Sequence, residues 1–129
     1  MKALIIFVFC SVFAFSGTAQ ITDTVVNNTP ITNDEFNQLL QTVRNRDSES
    51  LKVETLKETF VNTNYFNTAQ IRKLLSLIPR DSDKLALARS AYDRVVDPDN
   101  FLQLADLFNS SIYEREFSIW VNKQDKTNQ

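Results

Sequence analysis

One pattern limits this chain more than any other: an apolar stripe at positions i, i+3, i+4 and i+7 that occurs three times. Phe36, Leu39, Leu40 and Val43 form the first, Ile71, Leu74, Leu75 and Ile78 the second, and Phe101, Leu104, Ala105 and Phe108 the third. That spacing puts four side chains on one side of a 3.6-residue helix, so each stretch is predicted as an amphipathic α-helix with a buried face. Behind each stripe comes a second apolar set: Val53, Leu56 and Phe60; then Leu85, Ala88, Tyr92 and Val95; then Tyr113, Phe117, Trp120 and Val121. The sequence therefore predicts an all-α fold of about six short helices, built as three helix hairpins packed into one small globular domain. Phe36, Ile71 and Phe101 lie 35 and then 30 residues apart, within the range of helical repeat arrays.

The connections support the pairing. Arg46-Asp47-Ser48, Arg80-Asp81-Ser82 and Asn109-Ser110-Ser111 separate the two helices of each pair. Asp, Ser and Asn accept hydrogen bonds from the free N–H groups of a first helical turn, so these residues are expected as N-caps. Ser111 with Glu114, and Asn67 with Gln70, have the spacing of capping boxes, and Phe66 with Ile71 that of a hydrophobic staple. Asp97-Pro98 supplies a cap and a first-position Pro for the helix carrying Phe101. The only Gly, Gly17, lies before the predicted domain, so Asn and other polar residues must close the helices.

The ends are of a different kind. Met1-Lys2, an apolar run from Ala3 to Phe15 and small residues at Gly17 and Ala19 read as a cleaved secretory signal over residues 1–19. The run is too short for a membrane span, which needs roughly 20 apolar residues. Cys10 follows Phe7-Val8-Phe9, bulky where lipoprotein cleavage requires small residues, so the chain is read as exported, periplasmic or extracellular, and not as a lipoprotein. Residues 20–32, rich in Thr and Asn, read as a flexible tether, residues 33–122 as the helical domain, and residues 123–129 as a disordered tail.

Without residues 1–19 the chain keeps 13 basic and 16 acidic side chains, a formal charge near −3, and no Cys or His. An acidic chain with no basic block is a poor partner for nucleic acid or anionic membrane. Thiol catalysis, His-based triads, Cys/His zinc sites and Gly-rich phosphate loops are excluded, and no cofactor is implied. Asp93, Asp97 and Asp99, with Asn100, are the densest oxygen cluster and the candidates for a hard cation. A calcium loop needs a sharp Gly turn and a distal bidentate Glu, both missing here, and helix capping by Asp97 accounts for the cluster without a metal. The twin Arg46-Asp47-Ser48 and Arg80-Asp81-Ser82 segments could form a polar face for an anion or partner. Ordinary capping, with Arg at the preceding helix C-terminus, explains them equally.

Several of these residues together resemble a known family. Asp34-Glu35-Phe36, Asp81-Ser82-Asp83-Lys84-Leu85, Ala88, Ala91-Tyr92, Val95-Val96-Asp97, and Phe108 ahead of Ser110-Ser111 are similar to the domain of unknown function 4476. The resemblance runs from about Asp34 to Val121. It departs at Pro79-Arg80, where the family tends to have an aromatic residue, and at Leu51, which the family often precedes with Lys rather than Ser. The resemblance implies an exported bacterial protein of the Bacteroidota, and neither an activity nor a catalytic residue. Asp23-Thr24-Val25 resembles the short Asp–Ser/Thr–apolar pattern at which such exported proteins carry O-glycans, which makes Thr24 a candidate modification site.

The leading expectation is a non-catalytic, extracytoplasmic interaction module with an unknown protein or envelope component as partner. A carrier of a small apolar ligand in an interhelical cavity is the alternative, since six Phe, three Tyr and Trp120 could line one. A carboxylate-based hydrolase comes third, because a cleft and a core are hard to fit into about 90 residues. Leu77, Leu102, Leu107 and Ile119 lie off the main stripes and either widen the core or leave an apolar patch exposed.

Overall fold

The three stripes meet in one interior. In the computed structural model, which describes residues 28–62 and 64–128, Phe36, Val43, Ile71, Leu74, Leu75, Ile78, Phe101, Leu104 and Phe108 are buried in a single core, with Leu39, Leu40 and Ala105 packed partly buried against it. The helices around this core are α1 (Asn33–Arg44), α2 (Glu49–Val61), α3 (Thr68–Leu75), α4 (Asp81–Ala91), a 3-10 turn η1 (Tyr92–Arg94), a longer 3-10 helix η2 (Pro98–Leu107) and α5 (Ser111–Thr127). The result is a small globular all-α domain.

α1 packs on α2, α3 on α4, and η2 on α5, as three hairpins. Neighbouring pairs then touch like to like. The first helices form one layer in the order α1, α3, η2, and the second helices another in the order α2, α4, α5. α4 is central, in contact with α2, α3 and α5, and it buries Lys84, Leu85, Leu87, Ala88 and Ala91. Edge-on ring pairs tie the layers, Phe60 with Phe66 at 5.6 Å and Tyr92 with Phe101 at 5.1 Å, and Tyr92 also meets Trp120 of α5 at 5.3 Å within the second layer. Each such pair adds about 0.5–1.5 kcal/mol beyond its buried area.

The segments leading into the first helices lie side by side. Pro30 bridges to Tyr65 and Phe66 bridges to Val95, both in parallel. Ile31 N–H donates to the Tyr65 carbonyl (2.9 Å), Phe66 N–H to Arg94 (2.8 Å), and Val96 N–H to Phe66 (2.9 Å). This seam sets the N-caps Thr32, Asn67 and Asp97 in a row, so the offsets of 35 and 30 residues between the stripes recur in the caps.

Four expectations are corrected at the level of local geometry. The third stripe lies on a 3-10 helix rather than an α-helix, ten residues long where three or four are usual. At three residues per turn Phe101, Leu104 and Leu107 fall in line, and Phe108 enters the core from an extended C-cap. Residues 30–32, assigned to the tether, belong to the fold: Pro30 and Ile31 pair with Tyr65, and Thr32 caps α1 in a capping box with Glu35. α5 continues to Thr127, through most of the expected tail, with Tyr92 Oη donating to Asp125 Oδ1 at 3.3 Å beyond the last buried residue, Val121. Its N-cap is Ser110, one residue before the expected Ser111–Glu114 box.

The other caps follow the sequence. Ser48 Oγ accepts from Leu51 N–H at 3.3 Å, and Asn67 with Gln70 form the capping box over which Phe66 and Ile71 are both buried. Asn45, Asn62, Ser76 and Asn128 close α1, α2, α3 and α5. No described residue adopts a positive φ. The Met1–Ala19 segment, Cys10 and Thr24 lie outside the described residues.

Candidate functional site

A reactive group would be found among the buried polar residues. Among the described residues Thr68, Gln70 and Lys84 are the buried polar side chains, and each helps to join one helix pair to the next. Lys84 donates from Nζ to the Leu107 carbonyl (2.8 Å) and to Asp81 Oδ1 (3.3 Å). Asp81, expected as the N-cap of its own helix, is instead the first residue of α4, and Arg80 holds the cap position with no side-chain bond. Its carboxylate reaches 28 and 29 residues on, accepting the N–H groups of Asn109 (3.0 Å) and Ser110 (2.8 Å). In a capping box the third helical residue takes the N–H of the cap residue; here that position is Tyr113, which has no carboxylate, and Asp81 fills the role from another helix. Burial alone would raise the Asp81 carboxyl. The backbone N–H groups of Asn109 and Ser110, then the hydrogen bond and charge of Lys84, outweigh it and hold the group below its usual range.

Asp97 repeats the arrangement. It does not cap η2 with its side chain. Oδ1 accepts from Thr68 N–H (2.7 Å) and Thr68 Oγ1 (3.0 Å), so it serves the first turn of α3, while Oδ2 accepts from Asn100 Nδ2 (3.1 Å). Gln70 Nε2 donates to the Ile31 carbonyl at 3.0 Å, completing the row along the seam. Asp93 and Asp99 are exposed, and among the described residues no group of three or more His, Cys, Asp or Glu side chains is placed to hold a metal ion. The cluster that looked dense in sequence is dispersed by the turn from η1 into η2.

A concave surface lies elsewhere. A groove of about 390 Å³ runs between α2 and the start of α4, lined by Glu49, Ser50, Val53, Glu54, Lys57, Arg80 and Asp83. Val53 is its buried floor. Arg80, whose side chain is 67% exposed, reaches over from the Arg80-Asp81-Ser82 hinge and stands between Glu49 (4.0 Å) and Asp83 (3.7 Å). Glu49 Oε1 is buried and accepts no hydrogen bond among the described residues. At Lys57 the groove meets a shallower one lined by Glu58, Val61 and Asn62, so the concave surface follows α2 over its whole length. A third recess, about 180 Å³, lies between α1 and α2 against Ile31, Glu35, Leu39 and Thr59.

The sequence flagged Arg80 in the right segment but for the wrong neighbours. Its twin does not line the groove: Arg46 and Asp47 are exposed, Ser48 is occupied as a cap, and the next residue, Glu49, is the one that faces Arg80. Glu49, Glu54 and Lys57 were missed, since i, i+5 and i+8 positions on the polar side of one helix carry no signal beyond a solvated face. Phe, Tyr and Trp side chains line none of these three concavities. Among the described residues no helix is long and apolar enough to cross a membrane.

No curated protein and no solved structure matches the chain. A family match covers residues 30–121, from the seam residue Pro30 to the last buried residue of α5. On that match, which covers most of the chain, the chain belongs to the family described as Domain of unknown function (DUF4476).

Proposed function

We propose that this protein is a non-catalytic interaction module that works outside the cytoplasm, with the surface along α2 as its docking face. The observation that carries the reading is the groove between α2 and α4, where charges of both signs stand over an apolar floor at Val53. Such a rim recognises a protein segment by complementary charge while the floor takes an apolar side chain. Arg80 between Glu49 and Asp83 argues against hydrolysis by those two carboxylates, because both face a cation instead of each other. The buried Lys84 and Asp81 are committed to the α4–α5 junction. The Met1–Ala19 segment supports an extracytoplasmic setting.

The experiment is native capture from the protein's own cell envelope, comparing the wild type with Ser50→Trp, which fills the groove from an exposed position. A partner identified by mass spectrometry on the wild type and lost on Ser50→Trp supports the reading. Equal retention by both proteins, or none above the tag control, refutes it.

A further inference from the structure

Leu51, Val61, Leu102, Ile112 and Ile119 are the exposed large apolar side chains among the described residues. Leu102 stands alone on η2, whereas the other four lie on α2 and α5, the outer helices of the second layer with α4 between them. On α2, Leu51, Glu54, Glu58 and Val61 follow at i, i+3, i+7 and i+10 and share one outward face, apolar at both ends and acidic between. On α5, Ile112, Arg115, Ile119, Lys123 and Lys126 follow at i, i+3, i+7, i+11 and i+14, a face that is apolar and basic. Val61 is 73% exposed and Ile112 74%, unusual for branched aliphatic side chains on a well-formed helix.

The charges of these faces are free to act on a neighbour. Glu54, Glu58, Arg115, Lys123 and Lys126 are exposed, and none appears in the ion pairs of the described residues. The acids flanking the basic face are engaged elsewhere, Glu116 with Arg89 at 2.9 Å and Asp125 with the Tyr92 hydroxyl at 3.3 Å. At 1.5 Å per residue the stretch from Leu51 to Val61 is about 15 Å long and that from Ile112 to Lys126 about 21 Å, so the acidic face fits within the length of the basic one.

We propose that the chain binds a second copy of itself head to tail, with the Ile112–Lys126 face of α5 on one molecule lying along the Leu51–Val61 face of α2 on the next. This rests on the interaction reading and names one partner for it. The two surfaces differ, so the contact is heterologous, and each added molecule leaves one acidic and one basic face open at the ends of the assembly. Two narrow helix faces bury little area, and their charges are rim-like, so the association is weak and falls with added salt.

Sedimentation equilibrium of the purified protein tests this. The weight-average mass of the wild type should climb from the monomer value between micromolar and millimolar protein, and less steeply at high salt. Glu54→Lys with Glu58→Lys removes the acceptor face, and Ile112→Ser with Arg115→Glu removes the donor face. Each variant alone should associate about tenfold more weakly. An equimolar mixture of the two, having one intact face of each kind, should recover association and stop at a 1:1 dimer, which also shows that both variants are folded. A wild type that stays monomeric throughout overturns the proposal. So does either variant associating as tightly as the wild type, or a mixture that stays monomeric. None of these outcomes bears on the envelope capture, where Ser50→Trp reports on a foreign partner.

Discussion

Replacing Asp81 with Ala should be among the most destabilising single changes in this protein, although the side chain it removes is polar and sits at a hinge. Four donors lose an acceptor at once: the N–H groups of Asn109 and Ser110, Asn109 Nδ2, and Lys84 Nζ. Loss of a cap costs about 0.5–2 kcal/mol. Removing one partner of a buried ion pair costs about 3–5 kcal/mol, because the remaining charge is left without compensation. The Lys84 side chain is only 7% exposed and keeps the Leu107 carbonyl, which places the combined effect near 3–4 kcal/mol. For a domain of this size that lowers Tm by about 15–30 °C, readable by far-UV circular dichroism or calorimetry. Asp83→Ala two residues on, where the carboxylate meets only the exposed Arg80, should change stability by less than about 0.5 kcal/mol. Lys84→Met in the Asp81→Ala background should recover at least about 1 kcal/mol, since it removes the stranded charge. The sign of the pH dependence follows from the depressed Asp81 group. Its contribution is present above the ordinary carboxylate range and is lost as pH falls through the lowered folded value, so the wild type and Asp81→Ala should converge in acid. A loss below about 1 kcal/mol at neutral pH, or a difference that persists in acid, would mean that Asp81 does not hold the start of α5.

Other outcomes follow from the same structure. Leu75→Ala, at 1% exposure beside the central helix, should cost about 2–5 kcal/mol in denaturant unfolding, and a cost under about 1 kcal/mol would place Leu75 outside the core. Calcium or chelator should leave Tm unchanged, because Asp97 is committed to Thr68 and Asn100; a rise of several degrees with calcium would reassign Asp93, Asp97 and Asp99 to a cation. Intact mass of the native protein should begin at Gln20, and an unmodified peptide from Gln20 to Arg44 would remove Thr24 as a glycan site.

Local patterns were legible and distant partnerships were not. The stripes, the Ser48 cap and the Asn67–Gln70 box depend on residues within one or two turns, so spacing is enough to read them. The Thr32–Glu35 box was equally readable, and reading it would have started the domain before Asn33. Asp81 and Asp97 were rightly taken for capping residues and assigned to the wrong helices. Their acceptor atoms serve N–H groups 28 or 29 residues away, a separation that no periodicity encodes. The 3-10 geometry of η2 was hidden for a related reason, since Phe101 and Leu104 fit a period of 3.0 as well as one of 3.6. The groove could not be foreseen at all, because it exists only where α4 brings Arg80 and Asp83 against the polar side of α2.

The exchange of caps makes the second and third hairpins inseparable. In most stacked helical arrays a terminal unit can be trimmed and its neighbour survives with a newly exposed face. Here, cutting away the third hairpin at its entrance also takes Asp97, and the first turn of α3 loses the oxygen that receives Thr68 N–H. Removing the second takes Asp81, the acceptor for the Asn109 and Ser110 N–H groups at the entrance to α5. The second and third hairpins each hold an atom that finishes the other, so partial unfolding should not rest with one of these two folded alone, and they should melt together in a single cooperative step.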